Sequence, residues 1–251
     1  EMGHFVLARR HGVKASLPYF IPIPIPPVGT MGAVIRMEGR VGSRDALADI
    51  GASGPLAGLV VAIPVLLYGL YISKVGPING GLLEGNSLLY LGAKLLVKGQ
   101  ILPGGGVDVF LSPVAWAGWV GLLVTMLNLM PIGQLDGGHI AYAYFGARHN
   151  LTSSWLHRGL LLLAVGGSAY TVWELSAHAP LLKALGLGWS SGLSWFIWWI
   201  LLRVMKRATG GEYHPPTGEE QLSPGRRVLC LVMLGLFVLL LVPIPLRPSL
   251  P

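Results

Sequence analysis

Asn128-Leu-Met-Pro131-Ile-Gly-Gln-Leu135-Asp136-Gly137-Gly138-His139 is the stretch on which the fold reading turns. It closes an apolar run over 111–130 that carries no charged side chain. About 20 such residues match a hydrocarbon core about 30 Å thick, so the run reads as a membrane-spanning helix. Pro131 has no N–H and breaks it. Asp-Gly is a common turn former in its own right. Yet a broken helix at membrane depth is tolerated where it lines a polar cavity. A carboxylate such as Asp136, set just past the break, calls for a cation or a hydrogen-bond donor.

The whole chain agrees with a bilayer setting. Of its 251 residues 53% are hydrophobic and only 12% charged, with a mean hydropathy of +0.63. A soluble domain carries about a quarter charged residues, so this chain cannot coat a water-soluble surface. Disorder and coiled coils need still more polar residues. The charge of +7 raises nucleic acid as a partner, but the basic residues sit between apolar runs instead of forming a stripe, which excludes it. The one cysteine, Cys230, lies in an apolar run. It leaves no disulfide framework and no cysteine-based metal knuckle.

Further spans are read at about 52–73, 155–175, 189–202 and 228–242, and residues 1–13 read as the tail of another helix. If the first helix ends in the cytoplasm and the ends alternate, thirteen of the 18 Lys and Arg, among them Arg9, Arg10, Arg44, Arg148, Arg203 and Arg226, fall inside. Lys74, Lys94, Lys98, Lys183 and Arg247 fall outside. This bias orients the protein by the positive-inside rule.

Two connections are more than linkers. Residues 17–37 hold Tyr19-Phe-Ile-Pro-Ile-Pro-Ile-Pro-Pro27, a Val-Gly-Thr turn and a second apolar piece. Alternation with period two and repeated Pro exclude helix. The segment reads as a hairpin dipping into the membrane face, or as an apolar loop packed on helix ends. Residues 75–110 contain helical spacing over 82–97, an interfacial helix. The reading is therefore an all-α polytopic membrane protein of about six transmembrane helices, with a small membrane-associated β-hairpin.

Polar residues within such spans are the candidates for chemistry. Glu1-Met-Gly-His4 stands on the first helix. Were His to precede Glu1, the pattern would be H-E-x-x-H, in which two imidazoles at i and i+4 share one zinc and the Glu serves as general base. Because the chain opens on Glu1 inside a helical pattern, the reading expects an N-terminal truncation.

Together these motifs resemble the site-2 protease family of intramembrane zinc metalloproteases. The family carries H-E-x-x-H on one span and N-x-x-P-x-x-x-L-D-G on a later one. Glu1 and His4 match the first without its leading His, and Asn128, Pro131, Leu135, Asp136 and Gly137 match the second. Gly54-Pro55-Leu-Ala-Gly58 is similar to the family's Gly-Pro motif beside the catalytic helix.

The resemblance implies that His4 and Asp136 are zinc ligands, with a third expected just before Glu1. It further implies that Glu1 is the general acid and base and that Asn128 holds the oxyanion. Residues 1–146 would be the catalytic core and 147–251 three accessory helices. The 75–110 connection is too short for the PDZ domain that many members carry.

The implied function is intramembrane zinc endopeptidase activity on a transmembrane segment of a membrane-protein substrate, in regulated intramembrane proteolysis. Its expected setting is the lipid bilayer of a cell inner or plasma membrane, with the site near the cytoplasmic face. Ile23 and Ile25 on the hairpin would add a strand to the extended substrate. With two ligands of three, the chain as it stands is expected to hold zinc poorly. The alternative is a catalytically inactive homologue acting as a membrane scaffold or transporter, since broken helices and a midplane carboxylate also suit transporters. His139 is a candidate for orienting a ligand. His11, His149, His157, His178 and His214 read as solvated or interfacial.

Overall fold

A computed structural model describes residues 1–22, 30–35, 37–38, 41–78, 80–208, 213–214, 217 and 220–250. Ile23 and Ile25 lie outside the described residues.

The axis of the fold is helix α2, Arg44–Ile72, preceded in the chain by α1, Met2–Arg10. Ser43 caps α2 by accepting from the Ala46 amide. The cap satisfies one of the amides that every helix start leaves unpaired. α3 is Leu88–Lys98, capped by Ser87 and closed by Gly99 in the left-handed region. α4, Pro113–Asn128, is capped by Ser112 and has proline in its first turn, where a missing N–H costs nothing.

After the break come α5, Asp136–Phe145, a 3₁₀ turn, and α6, His149–Ser176. α7, Leu181–Gly188, a second 3₁₀ turn, α8, Leu193–Ala208, and α9, Pro224–Leu240, complete the helices.

α2 and α4 pack at close range. A Cβ on Gly118 would stand 2.5 Å from the Leu66 Cα, so only glycine allows this approach. Small residues serve the same end wherever membrane helices lack a hydrophobic drive to associate.

The described residues on either side of the 17–37 stretch pair in two antiparallel ladders. β1, Lys14–Ala15, pairs antiparallel with β4, Met37–Glu38. β2, Tyr19–Pro22, pairs with β3, Thr30–Val34, with a register shift between Phe20 and Pro22. Two further ladders escape the sequence reading: β5, Lys74–Pro77, with β7, Val107–Phe110, and β6, Gly81–Glu84, with β8, Leu246–Ser249. The helix expected over 82–97 therefore begins later, because Gly81 and Gly85 disfavour helix and Ser87 supplies the cap.

The described residues do not confirm six spans. Three stretches are long and apolar enough to cross a membrane: Arg44–Ile72, Asp136–Ser176 and Leu181–Ala208. α4 is a shorter apolar helix of 16 residues, α9 has 17 and α1 has 9. The protein is a mostly helical membrane protein with a small β component.

Lys94, counted above only for its side of the membrane, is enclosed by protein. It is fully buried, with Nζ 2.9 Å from Asp108 Oδ1 and 3.1 Å from Glu84 Oε1. Tyr90 donates its hydroxyl to the same Glu84 oxygen at 2.9 Å. One cation between two carboxylates satisfies a polar cluster that would otherwise be costly to bury.

Candidate functional site

α1 lies against α2 so closely that a Cβ on Gly3 would overlap the Ser53 carbonyl. That contact directs His4 at the middle of α2, where Gly54 leaves the room: a Cβ there would sit on the imidazole. Pro55 follows, and its missing N–H leaves the Gly51 carbonyl without its helical partner and loosens the turn. One residue earlier, the Ile50 carbonyl accepts from His4 Nδ1 at 2.8 Å. With its proton on Nδ1, His4 presents the Nε2 lone pair to the site.

The opposite wall is the broken helix. Asn128, half-buried, ends α4, and the Leu129 amide still bonds back to Thr125. The chain then turns through Gly133, whose φ of +63° suits glycine and whose N–H donates to Ser153 Oγ at 3.2 Å. Gly137 and Gly138 fold back against the carbonyls of Leu129 and Gly133. Asp136 opens α5, where a carboxylate is favoured by the helix dipole.

This fold brings His4 Nε2 to 3.1 Å from Asp136 Oδ2. Both side chains are largely shielded, at 13% and 17% exposure.

The arrangement passes a simple test for a shared metal. Two ligands about 2.0–2.1 Å from one tetrahedral zinc stand about 3.3 Å apart, close to the separation found. The Nδ1–H···O=C bond on His4 is the outer contact that orients a metal-binding imidazole and fixes its tautomer. Among the described residues no three His, Cys, Asp or Glu side chains gather into one metal-binding group. His4 and Asp136 form a pair. Glu1 stands exposed at the N-cap of α1, and its side chain makes no cap bond.

Behind Asp136 lies a histidine cluster that the sequence reading assigns to solvent or leaves open. His139 Nδ1 is 2.8 Å from His214 Nε2, so His139 bonds across the fold and not to Asp136. The His214 ring stacks on Tyr142 at 4.0 Å. Its backbone is held at both ends by Asn150, at 2.9 and 3.3 Å. Tyr213 shares a bond with buried His157 at 2.9 Å. His149 is fully buried and meets Ser153 Oγ at 2.8 Å. Residues far along the chain thus plug the back of α5, and no spacing rule in the sequence signals a contact across 75 positions.

At the Arg-rich end, Asp49 gathers His11 at 2.9 Å and Arg226 at 2.8 Å. Arg226 also reaches Asp45, at 3.5 Å. Arg44 donates to the carbonyls of Ala143 and Tyr144 at 2.8 and 3.0 Å, neutralising the C-terminal end of α5. Six residues at 1.5 Å rise separate His4 from Arg10, so the pair lies about 9 Å below this charged rim.

Residues 1–165 match Peptidase family M50. The chain is 29% identical over 249 residues to the "Probable zinc metalloprotease EGY2, chloroplastic" of Arabidopsis thaliana, a match covering 98% of the chain and 39% of that protein. It is 32% identical over 183 residues to "Probable zinc metalloprotease EGY1, chloroplastic" of the same plant, covering 70% of the chain and 33% of that protein. It is 34% identical over 164 residues to the EGY2 protein of Oryza sativa subsp. indica, covering 64% and 30%. The chain thus spans well under half the length of these relatives. No solved structure matches it.

Proposed function

The chain belongs to peptidase family M50, and from that premise we propose that it is an intramembrane zinc metalloendopeptidase, hydrolysing a peptide bond in or near a transmembrane segment of a membrane protein. The observation that carries the reading is the 3.1 Å approach of His4 Nε2 to Asp136 Oδ2 across 132 positions of sequence. Residues 1–146 form the catalytic core and 147–251 the accessory part.

His4 and Asp136 are two zinc ligands, and the third is the His expected directly before Glu1. Zinc held there supplies the charge that makes a water molecule reactive near neutral pH. The Glu1 carboxylate takes the proton from that water and delivers it to the departing amine. The Asn128 amide donates to the oxygen on which charge develops. The scissile bond of a helix is shielded by its own hydrogen bonds, so the substrate enters extended and pairs with the hairpin through Ile23 and Ile25. The reaction serves regulated intramembrane proteolysis.

A cell inner or plasma membrane, expected from the sequence, draws no support from relatives whose names say chloroplastic. The orientation rests on the rim of Arg10, Arg44 and Arg226, which we assign to the cytoplasm-like side, with the site about 9 Å beneath it. An inactive scaffold or transporter is not favoured, since the relatives are named as metalloproteases and the ligand pair is already assembled.

The test is zinc content and cleavage measured together in liposomes on the full-length parent, the form expected to carry the third ligand. Glu1→Gln keeps one zinc ion per chain and stops hydrolysis of a transmembrane substrate. His4→Ala and Asp136→Ala lose the metal. Full zinc in both alanine variants, or undiminished cleavage by Glu1→Gln, overturns the proposal.

A further inference from the structure

A groove of about 750 Å³ opens between α1, α2 and α9, outside the His4–Asp136 pair. Its two ends differ in chemistry. The inner part is apolar, walled by Met2, Val6, Leu56 and Leu229, with Met2 and Val6 exposed on the outer face of α1. The other end carries Arg10 and Arg226 together with His11 and Asp49. His11 and Arg226 are both bonded to Asp49. The side chain of Arg10 is exposed and makes no hydrogen bond or ion pair with any described residue. Arg226 is balanced by Asp49 and by Asp45, 3.5 Å away, so the guanidinium of Arg10 is the unbalanced charge that leaves the mouth of the groove positive.

We propose that this groove is a binding site for one anionic phospholipid, its phosphate at Arg10 and Arg226 and an acyl chain along Met2, Val6, Leu56 and Leu229. Three observations fit that occupant together. The positive end is the Arg-rich rim, the level at which headgroups of an anionic leaflet meet basic side chains. The distance along α2 from Asp49 to Leu56 is about 10 Å at 1.5 Å per residue, so the apolar wall descends from that level into the hydrocarbon. A guanidinium presents paired donors that match phosphate geometry, and Arg10 has its donors unspent. A soluble anion satisfies the charged end and leaves the apolar wall uncovered. A zwitterionic lipid covers the wall and brings no net charge to the arginines. The inference does not depend on what the His4–Asp136 pair does, because the groove shares no side chain with it.

The experiment is native mass spectrometry on the full chain, purified from nanodiscs of phosphatidylglycerol, of phosphatidylcholine, or of an equal mixture. The expected result is one phosphatidylglycerol retained per chain from the mixture. Arg10→Gln lowers its apparent affinity about fivefold, the loss expected on removing one basic side chain beside an anionic headgroup. Leu229→Trp, which fills the apolar wall and keeps every charge, lowers it as well, and thermal melting of both variants in detergent without lipid verifies folding. Equal retention of the two lipids overturns the proposal. So does unchanged retention in both variants, or displacement of the lipid by millimolar inorganic phosphate, which identifies an anion site without the acyl chain.

Discussion

Gly54 and His4 occupy the same space by design of composition: the imidazole fills the position that a Cβ on residue 54 would take. Gly54→Ala therefore pushes His4 off both Asp136 and the Ile50 carbonyl. We expect a loss of about 1–3 kcal/mol of stability from overpacking and at least a tenfold loss of zinc affinity, the scale seen when a ligand's supporting contact is removed. Gly92→Ala, inside α3 with nothing within 4 Å of the added carbon, is the control: zinc affinity is unchanged, and stability does not fall because alanine favours a helix over glycine by about 1 kcal/mol. A Gly54→Ala protein with native zinc affinity contradicts the packing argument.

His214 closes the back of the helix that carries Asp136. Truncating it to Ala strands the part-buried His139 Nδ1, which loses its 2.8 Å partner. An unpaired buried polar group costs about 1–3 kcal/mol. Denaturant unfolding in detergent measures this. If His139→Ala and His214→Ala act only through their mutual bond, the double variant loses less than the two single losses added together. Strict additivity would show that the bond is energetically idle.

Lys94 holds two carboxylates together at full burial. Lys94→Met leaves Glu84 and Asp108 facing each other without a cation, and we expect a loss of about 3–5 kcal/mol. Adding Glu84→Gln and Asp108→Asn restores a large part of it, as judged by the melting temperature. Burial, reinforced by the Glu84 carboxylate, raises the Tyr90 hydroxyl above its ordinary value. The folded chain then keeps that proton while the unfolded chain releases it above about pH 10. Stability conferred by neutral Tyr90 is complete below that pH and falls as pH rises through it. Tyr90→Phe flattens the alkaline loss. An alkaline limb identical in wild type and Tyr90→Phe argues against the assignment.

Ile23→Asp with Ile25→Asp tests the hairpin as a substrate edge. Cleavage of a transmembrane substrate falls while zinc content stays constant. Loss of both together would make the hairpin part of the framework, and loss of neither would remove it from substrate recognition.

What the sequence discloses here follows from how local each signal is. Each of the apolar runs at 52–73, 111–130, 155–175, 189–202 and 228–242 overlaps a helix over most of its length, because composition over twenty residues is a strong and local signal. Pro131 marks the break for the same reason. The paired strands Lys74–Pro77 with Val107–Phe110 are illegible, since four-residue strands rich in Gly and Pro look like loops until their partner is known. The same holds for the burial of Lys94, on which the positive-inside count, which assigns only a side of the membrane, is silent. Its burial depends on Glu84 and Asp108 arriving from either side, and charge patterning along one helix cannot register that. His149, His157 and His214 are misjudged for a related reason. Histidine carries no preference strong enough to declare burial, and only tertiary neighbours decide it.

The packing of α1, α4 and α5 around α2 has a mechanical consequence. His4 leans on Gly54, α4 seats Gly118 on Leu66, and Gly51 stands 3.1 Å, measured from an added Cβ, from the backbone of Asp136. His4 and Asp136 thus ride on a common axle. Tilting that axle carries them together and leaves their separation intact, so admitting a bulky guest by prising them apart would mean tearing each from the same shaft. Motions that open a path to the pair are expected in the peripheral helices, with the axle and its two riders moving as one rigid piece.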